Sequence, residues 1–116
     1  MLVTSRKTKR WIIPKGWPMT RMAPHAAAAQ EALEEAGVVG RVANKPIGSY
    51  SYDKRLRTGA VIVCEVHVFP LEVEGQQDDW PEKGKREIRW LSPEEAAAAV
   101  EEDVLGNIIR KLRMEE

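Results

Sequence analysis

Three carboxylates, Glu31, Glu34 and Glu35, fall at the i, i+3 and i+4 spacing that makes side chains neighbours on one surface of an α-helix. Like charges so placed weaken a helix by about 0.2–0.5 kcal/mol per pair. A hard divalent cation such as Mg²⁺ or Mn²⁺, which takes oxygen ligands, reverses that penalty. Taken alone, the triplet has a second reading as an ordinary solvated acidic face.

The segment that must carry these residues has its own start and stop signals. Pro24 suits the first turn of a helix, His25 to Ala36 is rich in Ala and Glu, and Gly37 suits the C-cap. At about 100° per residue, Ala29, Ala32, Leu33 and Ala36 form an apolar stripe and the three glutamates take the opposite face. Pro14 to Pro24, with three prolines and a glycine, reads as the loop entering this helix.

Around the helix, Leu2-Val3-Thr4, Trp11-Ile12-Ile13, Ile47 to Asp53, Thr58 to Phe69 and Glu87 to Trp90 read as strands. Residues 71–86 read as a long charged loop, and a loop of that length is commonly functional. Ser92-Pro93-Glu94-Glu95 is a capping-box start to a helix over Glu94–Glu102, and a further helix is expected from Val104 to Arg113. Strands alternating with helices around one core indicate an α/β or α+β domain. Residues 1–116 are expected to form one domain, with no repeat and no internal linker.

Composition removes several function classes. The 116 residues are 43% hydrophobic and 31% charged, enough for a core without disulfides or structural zinc. Cys64, the single cysteine, excludes an intrachain disulfide and reads as a small buried hydrophobe in a strand. The apolar runs are too short to span a membrane, and the N-terminal charges follow the first apolar residues, unlike a secretory signal. The expectation is a cytoplasmic protein. Net charge is zero, which argues against a general nucleic-acid or membrane coat. The charges are nevertheless segregated: residues 1–30 hold six Lys/Arg and no carboxylate, whereas 13 of the 18 acids follow residue 70. A basic wall beside an acidic cluster suits an anionic ligand bound through metal.

Gly16 to Val38 resembles the Nudix box, G-x5-E-x7-R-E-U-x-E-E-x-G-U, where U is bulky and apolar. Gly16, Glu31, Glu34, Glu35, Gly37 and Val38 fall in register over its 23 positions. Met22 stands in place of the first glutamate and Gln30 in place of the arginine, residues that in the family support the loop and orient the carboxylates. Ala32 is smaller than the usual apolar residue. Gln77-Asp78-Asp79-Trp80, Gly84-Lys85-Arg86-Glu87, Trp90 and Ser92 to Ala96 are similar to the C-terminal half of diphosphoinositol polyphosphate phosphohydrolases, as is Arg57-Thr58.

The resemblance implies a Nudix-like α/β/α sandwich: a mixed β-sheet with the box helix on one side and the C-terminal helices on the other. In the family another strand precedes the one resembling Leu2 to Ser5. A fold short of that first N-terminal strand is therefore expected, with an exposed sheet edge able to drive dimerisation or strand exchange, so that a monomer and a homodimer are both open. The implied activity is metal-dependent hydrolysis of a diphosphate bond in a highly phosphorylated small molecule, such as a diphosphoinositol polyphosphate or a dinucleoside polyphosphate. Glu31, Glu34, Glu35 and the Gly16 carbonyl would hold Mg²⁺ or Mn²⁺, and one of the glutamates, or a carboxylate from residues 78–87, would accept the proton of water. Lys15, Arg57, Lys85 and Arg86 would meet phosphates, with Arg55 a further cation near them. Other nucleotide specificities, and a non-catalytic ligand-binding module, are the alternatives. Trp11 and Trp90 read as core residues. Trp17 and Trp80 are loop residues for which packing is the simpler explanation, and His67 with Glu65 reads as a half-exposed sheet surface.

Overall fold

A computed structural model describes residues 1–112. The chain runs β1 (Leu2–Thr4), β2 (Trp11–Ile12), α1 (Pro24–Ala36), β3 (Val38–Val42), β4 (Gly48–Arg55), β5 (Val61–Val68), β6 (Leu71–Gln76), β7 (Ile88–Arg89), α2 (Pro93–Ala99) and α3 (Asp103–Arg110). Among the described residues the strands form three antiparallel sheets, β2-β1-β7, β3-β6 and β4-β5. The parallel component expected of a mixed sheet is, among the described residues, a single bridge, Trp11 to Val100.

The layering follows from β1. Adjacent residues of a strand point to opposite faces, and here Leu2 and Val3, both fully buried, enter two different cores. On one side Leu2 packs with Tyr50, Val68, Ala96, Ala97, Val100, Leu105, Ile108 and Ile109, so α2 and α3 cover that face. On the other, Val3 and Ile12 pack with Ala32, Ala36 and Val38, which brings α1 down. The expected sandwich is therefore present, with the box helix and the C-terminal helices on opposite faces. β1 has partners on both flanks, so the exposed edge expected there does not exist at that strand. Apolar exposure falls instead on β5, where Val63 is 71% exposed.

Local signals explain most elements. Pro24 opens α1, and Gly37 at φ 70° closes it, its N–H reaching the Ala32 and Leu33 carbonyls. Ser92 and Glu95 form a reciprocal capping box at α2. That helix stops at Ala99 rather than Glu102, and α3 ends at Arg110, so the expectation for Arg113 lies outside the described residues.

Three expectations are corrected. Residues 71–86 are not all loop: Leu71–Gln76 is β6, paired with β3, a strand that the sequence pattern also hides. Glu72 and Glu74 point outward to Arg41, at 3.2 and 3.9 Å, which gives the segment its loop-like charge. Trp90 is 52% exposed and not in the core, whereas Trp11 does pack against it. Cys64 is half-buried rather than enclosed.

The two-core arrangement makes a stability contrast. Leu105→Ala, at a fully enclosed position, is expected to cost about 2–5 kcal/mol in chemical denaturation. Val63→Ala, on the exposed β5 face, should stay within about 0.5 kcal/mol. Equal losses would contradict this core assignment.

Candidate active site

The glutamate triplet does not form a uniform solvated face. Glu35 is 2% exposed, whereas Glu31 and Glu34 are half-buried. Glu31 turns back over the entering loop, where its carboxyl group lies against Gly16, and a Cβ at that position would overlap it. A side chain at position 16 would push that carboxyl away, so the contact ties the loop to the helix. Glu34 receives a hydrogen bond from Gln30 Nε2 at 2.9 Å. Gln30 therefore steadies one carboxylate from the position where the box has arginine, through a neutral donor.

Arg86 enters the same place from the segment before β7. Its Nε donates to Glu82 Oε1 at 2.9 Å, and Nη1 donates to the Thr4 carbonyl at 3.0 Å and lies 3.7 Å from Glu35 Oε1. Thr4 is buried and doubly used, because its hydroxyl also accepts the Glu87 N–H at 2.9 Å. Arg86 is thus turned inward as the counter-ion of a carboxylate group formed by Glu31, Glu35 and Glu82. Of the cations expected to meet phosphates, Arg86 is the one whose guanidinium, among the described residues, is engaged by the protein's own acids.

One cation does not balance these acids. Burial pushes the Glu35 carboxyl up to about 8, against the pull of Arg86, and Glu31 and Glu82 push it the same way. Burial also raises Glu31, which accepts a hydrogen bond from Glu35. Glu35 Oε1 is buried with no hydrogen-bond partner among the described residues.

Lys15 lies on the adjoining side, its Nζ 4.9 Å from the centre of the Tyr52 ring. Burial pushes its ammonium down, with Glu35 and Glu102 opposing the shift and Arg10 and Lys54 adding to it. Lys54 in turn stands 5.0 Å from the Trp17 ring centre. Arg57, in the exposed turn between β4 and β5, and exposed Lys85 make no contact with the carboxylates among the described residues. An open cavity of 670 Å³ lies on another face, between α1 and β3, lined by Met22, His25, Ala26, Gln30, Leu33 and Arg41 among others. It holds no carboxylate, so chemistry and not concavity places the site.

The matching family decides what this constellation belongs to. The NUDIX domain family matches the chain over residues 1–112. The chain belongs to the Nudix family. Among its relatives are Nudix hydrolase 12, mitochondrial, of Arabidopsis thaliana, 33% identical over 99 residues covering 83% of this chain and 49% of the relative. Nudix hydrolase 4 of the same plant is 34% identical over 96 residues, 83% of this chain and 44% of the relative. Diphosphoinositol polyphosphate phosphohydrolase 3-beta of Bos taurus is 28% identical over 120 residues, 98% of this chain and 68% of the relative. The chain spans about half the length of the two plant relatives.

Nudix enzymes generally use a divalent metal ion. Among the described residues no three Asp, Glu, His or Cys side chains are gathered into a ready-made cage. The donor chemistry still fits a hard cation. Glu31 lies at Gly16 with Glu35 and Glu82 beside it, and the negative charge of the three exceeds what Arg86 neutralises. Sequence reading reached Glu31, Glu34, Glu35 and Gly16. Glu82 was covered only by the span 78–87, and Thr4 and the inward turn of Arg86 had no sequence signal.

The raised Glu35 value has a stability sign. A carboxyl whose folded value exceeds its ordinary 4.5 binds more protons folded than unfolded. Its contribution is therefore full below about pH 4.5 and is shed as pH rises through about 8. Metal-free protein should show a falling Tm from pH 5 to 9, an order-of-magnitude window set by those two values. Most of the slope should vanish in Glu35→Gln, and saturating Mn²⁺ should restore stability at the alkaline end. Parallel slopes in wild type and variant would contradict the burial argument.

Proposed function

We propose that this Nudix domain is a metal-dependent pyrophosphohydrolase that cleaves a diphosphate bond in a highly phosphorylated small molecule. The observation that carries the reading is the convergence of Glu35 and Glu82 on one half-buried arginine, Arg86, with Glu31 beside Glu35 and its carboxyl lying on Gly16. Excess acid in a half-buried site is costly for a merely structural role. It is useful where an anionic substrate must be approached through a cation.

In this proposal Glu31, Glu35 and the Gly16 carbonyl hold Mg²⁺ or Mn²⁺, with Glu34 beside them steadied by Gln30. Bound there, the ion would offset charge on the phosphate oxygens and make a water molecule more acidic. The chain's own residues supply the rest. Glu31 or Glu35, both carboxyls raised above their ordinary value by burial, accepts the proton of the attacking water. The new oxygen–phosphorus bond forms as the phosphoanhydride bond breaks, and the departing phosphate carries away the electron pair. Arg86 holds Glu82 and Glu35 in place and keeps the carboxylates from repelling one another apart. Lys15, partly desolvated and close enough to feel Glu35, meets a phosphate as a point charge.

For the substrate class we favour diphosphoinositol polyphosphates or dinucleoside polyphosphates. The support is the match to the bovine phosphohydrolase along 98% of the chain, together with the basic residues Lys15 on the loop entering the box, Lys54 and Arg55 at the end of β4, and Arg57 in the β4–β5 turn. A cytoplasmic location is part of the same proposal, and no described helix is long and apolar enough to cross a membrane.

The test is phosphate release from a panel of both compound classes with Mg²⁺ or Mn²⁺. Glu35→Gln should lower kcat by about 10²–10⁴-fold, the range of a lost general base. Arg57→Ala and Lys85→Ala should raise KM with kcat little changed, as expected of contacts made equally in ground and transition states. If Mn²⁺ binds and no compound is turned over, the hydrolase reading fails and a ligand-binding module takes its place.

A further inference from the structure

The acidic loop between β6 and β7 is fastened to the end of α1 by contacts that bond cleavage does not itself require. The last turn of an α-helix leaves carbonyl groups without intrahelical partners. Here the Glu34 carbonyl accepts from the Glu82 N–H at 3.0 Å, and the Ala36 carbonyl accepts from Gln76 Nε2 at 2.9 Å. Just beyond the helix, the Gly37 carbonyl accepts from the Gln77 N–H at 2.8 Å. Amid these bonds the Trp80 indole lies on the Cα of Gly37, where any Cβ would overlap the ring. Lys83 Nζ stands 5.1 Å from the ring centre, a cation–π distance.

The indole N–H of Trp80 is buried and has no hydrogen-bond partner among the described residues. An unpaired buried donor is a cost and not a gain. Trp80 therefore contributes through the shape and apolar surface of its ring. Two residues further on, Glu82 reaches Arg86, and Arg86 reaches Glu35.

We propose that Trp80 is a positioning residue of the hydrolytic site: seated on Gly37, it holds the loop against α1 and thereby sets Glu82 and Arg86 beside Glu31 and Glu35. Its catalytic consequence rests on the hydrolase reading above, whereas the latch itself does not. The left-handed backbone of Gly37 thus serves twice, as the C-cap of α1 and as the seat of the ring.

The experiment compares wild type, Trp80→Ala and Trp80→Phe, using the full chain with Mn²⁺ and the best substrate of the panel. In Trp80→Ala, kcat should fall at least about tenfold, with any rise in KM no larger than that of Lys85→Ala, since Lys15 and Arg57 lie outside the displaced loop and only Lys85 moves with it. Backbone exchange at Gln77 and Glu82 should accelerate by about tenfold or more, as in a local opening, while Ile47, bonded to the Val68 carbonyl at 2.8 Å, stays protected. Trp80→Phe keeps an aromatic ring and drops the unpaired N–H, so it should retain most of kcat and be at least as heat-stable as wild type.

An unchanged kcat in Trp80→Ala, unchanged exchange at Gln77 and Glu82, or a Phe variant as impaired as Ala would each overturn the proposal. Should Trp80→Ala fail to fold, Gln76→Ala removes one latch bond. It is expected to give a smaller loss of kcat and a smaller gain in exchange at the same two amides, and no change in either would overturn the proposal as well. Absence of turnover in wild type would sink the hydrolase reading and the catalytic half of the proposal, while exchange still decides the latch.

Discussion

Glu35 is a carboxylate that the fold takes out of water, and the groups around it are arranged by that fact. Its partner Arg86 stands at 3.7 Å, where two unit charges attract by about 4 kcal/mol at an effective dielectric near 20. Removing an ion from water costs several kcal/mol per ion. The pair alone does not come out ahead, and with Glu31 and Glu82 adding repulsion the balance tips toward a protonated Glu35. Arg86 is itself kept in position by the Thr4 carbonyl and Glu82. Removing Arg86 would leave the acids without their only close counter-ion among the described residues. The site is thus held in a state that a proton relieves in the bare protein and that a divalent cation is suited to relieve in a working one.

The two cores explain why this is tolerated. Leu2 and Val3 send β1 into both layers, so the strand at the centre of the molecule is fixed by apolar packing on each face. Thr4, next along the same strand, inherits that rigidity and presents its carbonyl and hydroxyl to Arg86 and to the Glu87 N–H. Apolar burial thereby supplies a stiff frame for polar groups that are individually unfavourable. α1 is set down by Ala32 and Ala36, small residues that let the helix approach closely and carry Glu31 and Glu35 to the protein interior's edge.

The departures from the Nudix pattern belong to the same electrostatic picture. Met22 and Gln30 both line the cavity between α1 and β3, and Gln30 also reaches the Glu34 carboxylate from there. An arginine at position 30 would add a cation beside Glu34, whereas Gln30 gives a neutral hydrogen bond and leaves the acidic excess larger. Positioning of that carboxylate is preserved and its charge is not offset.

Much of the local structure was legible in the chain itself. Pro24, the alanine-rich run and Gly37 mark α1 at both ends, Ser92 and Glu95 mark the start of α2, and the valine-rich stretch marks β5, because caps and periodicity act between residues close in sequence. The spacing of Glu31, Glu34 and Glu35 with Gly16 was legible for the same reason. Tertiary structure alone decided that β6 is a strand, since its partner β3 lies about thirty residues earlier in the chain and its outward glutamates mimic a loop. It alone decided that Glu35 is buried while Glu31 and Glu34 are not, because helical spacing defines a face without saying what covers it. The inward turn of Arg86, the exposure of Trp90 and the seat of Trp80 on Gly37 are likewise outcomes of long-range packing. A sequence carries residue type and local period, but the cost of burying a charge is set by neighbours that only the folded chain brings together.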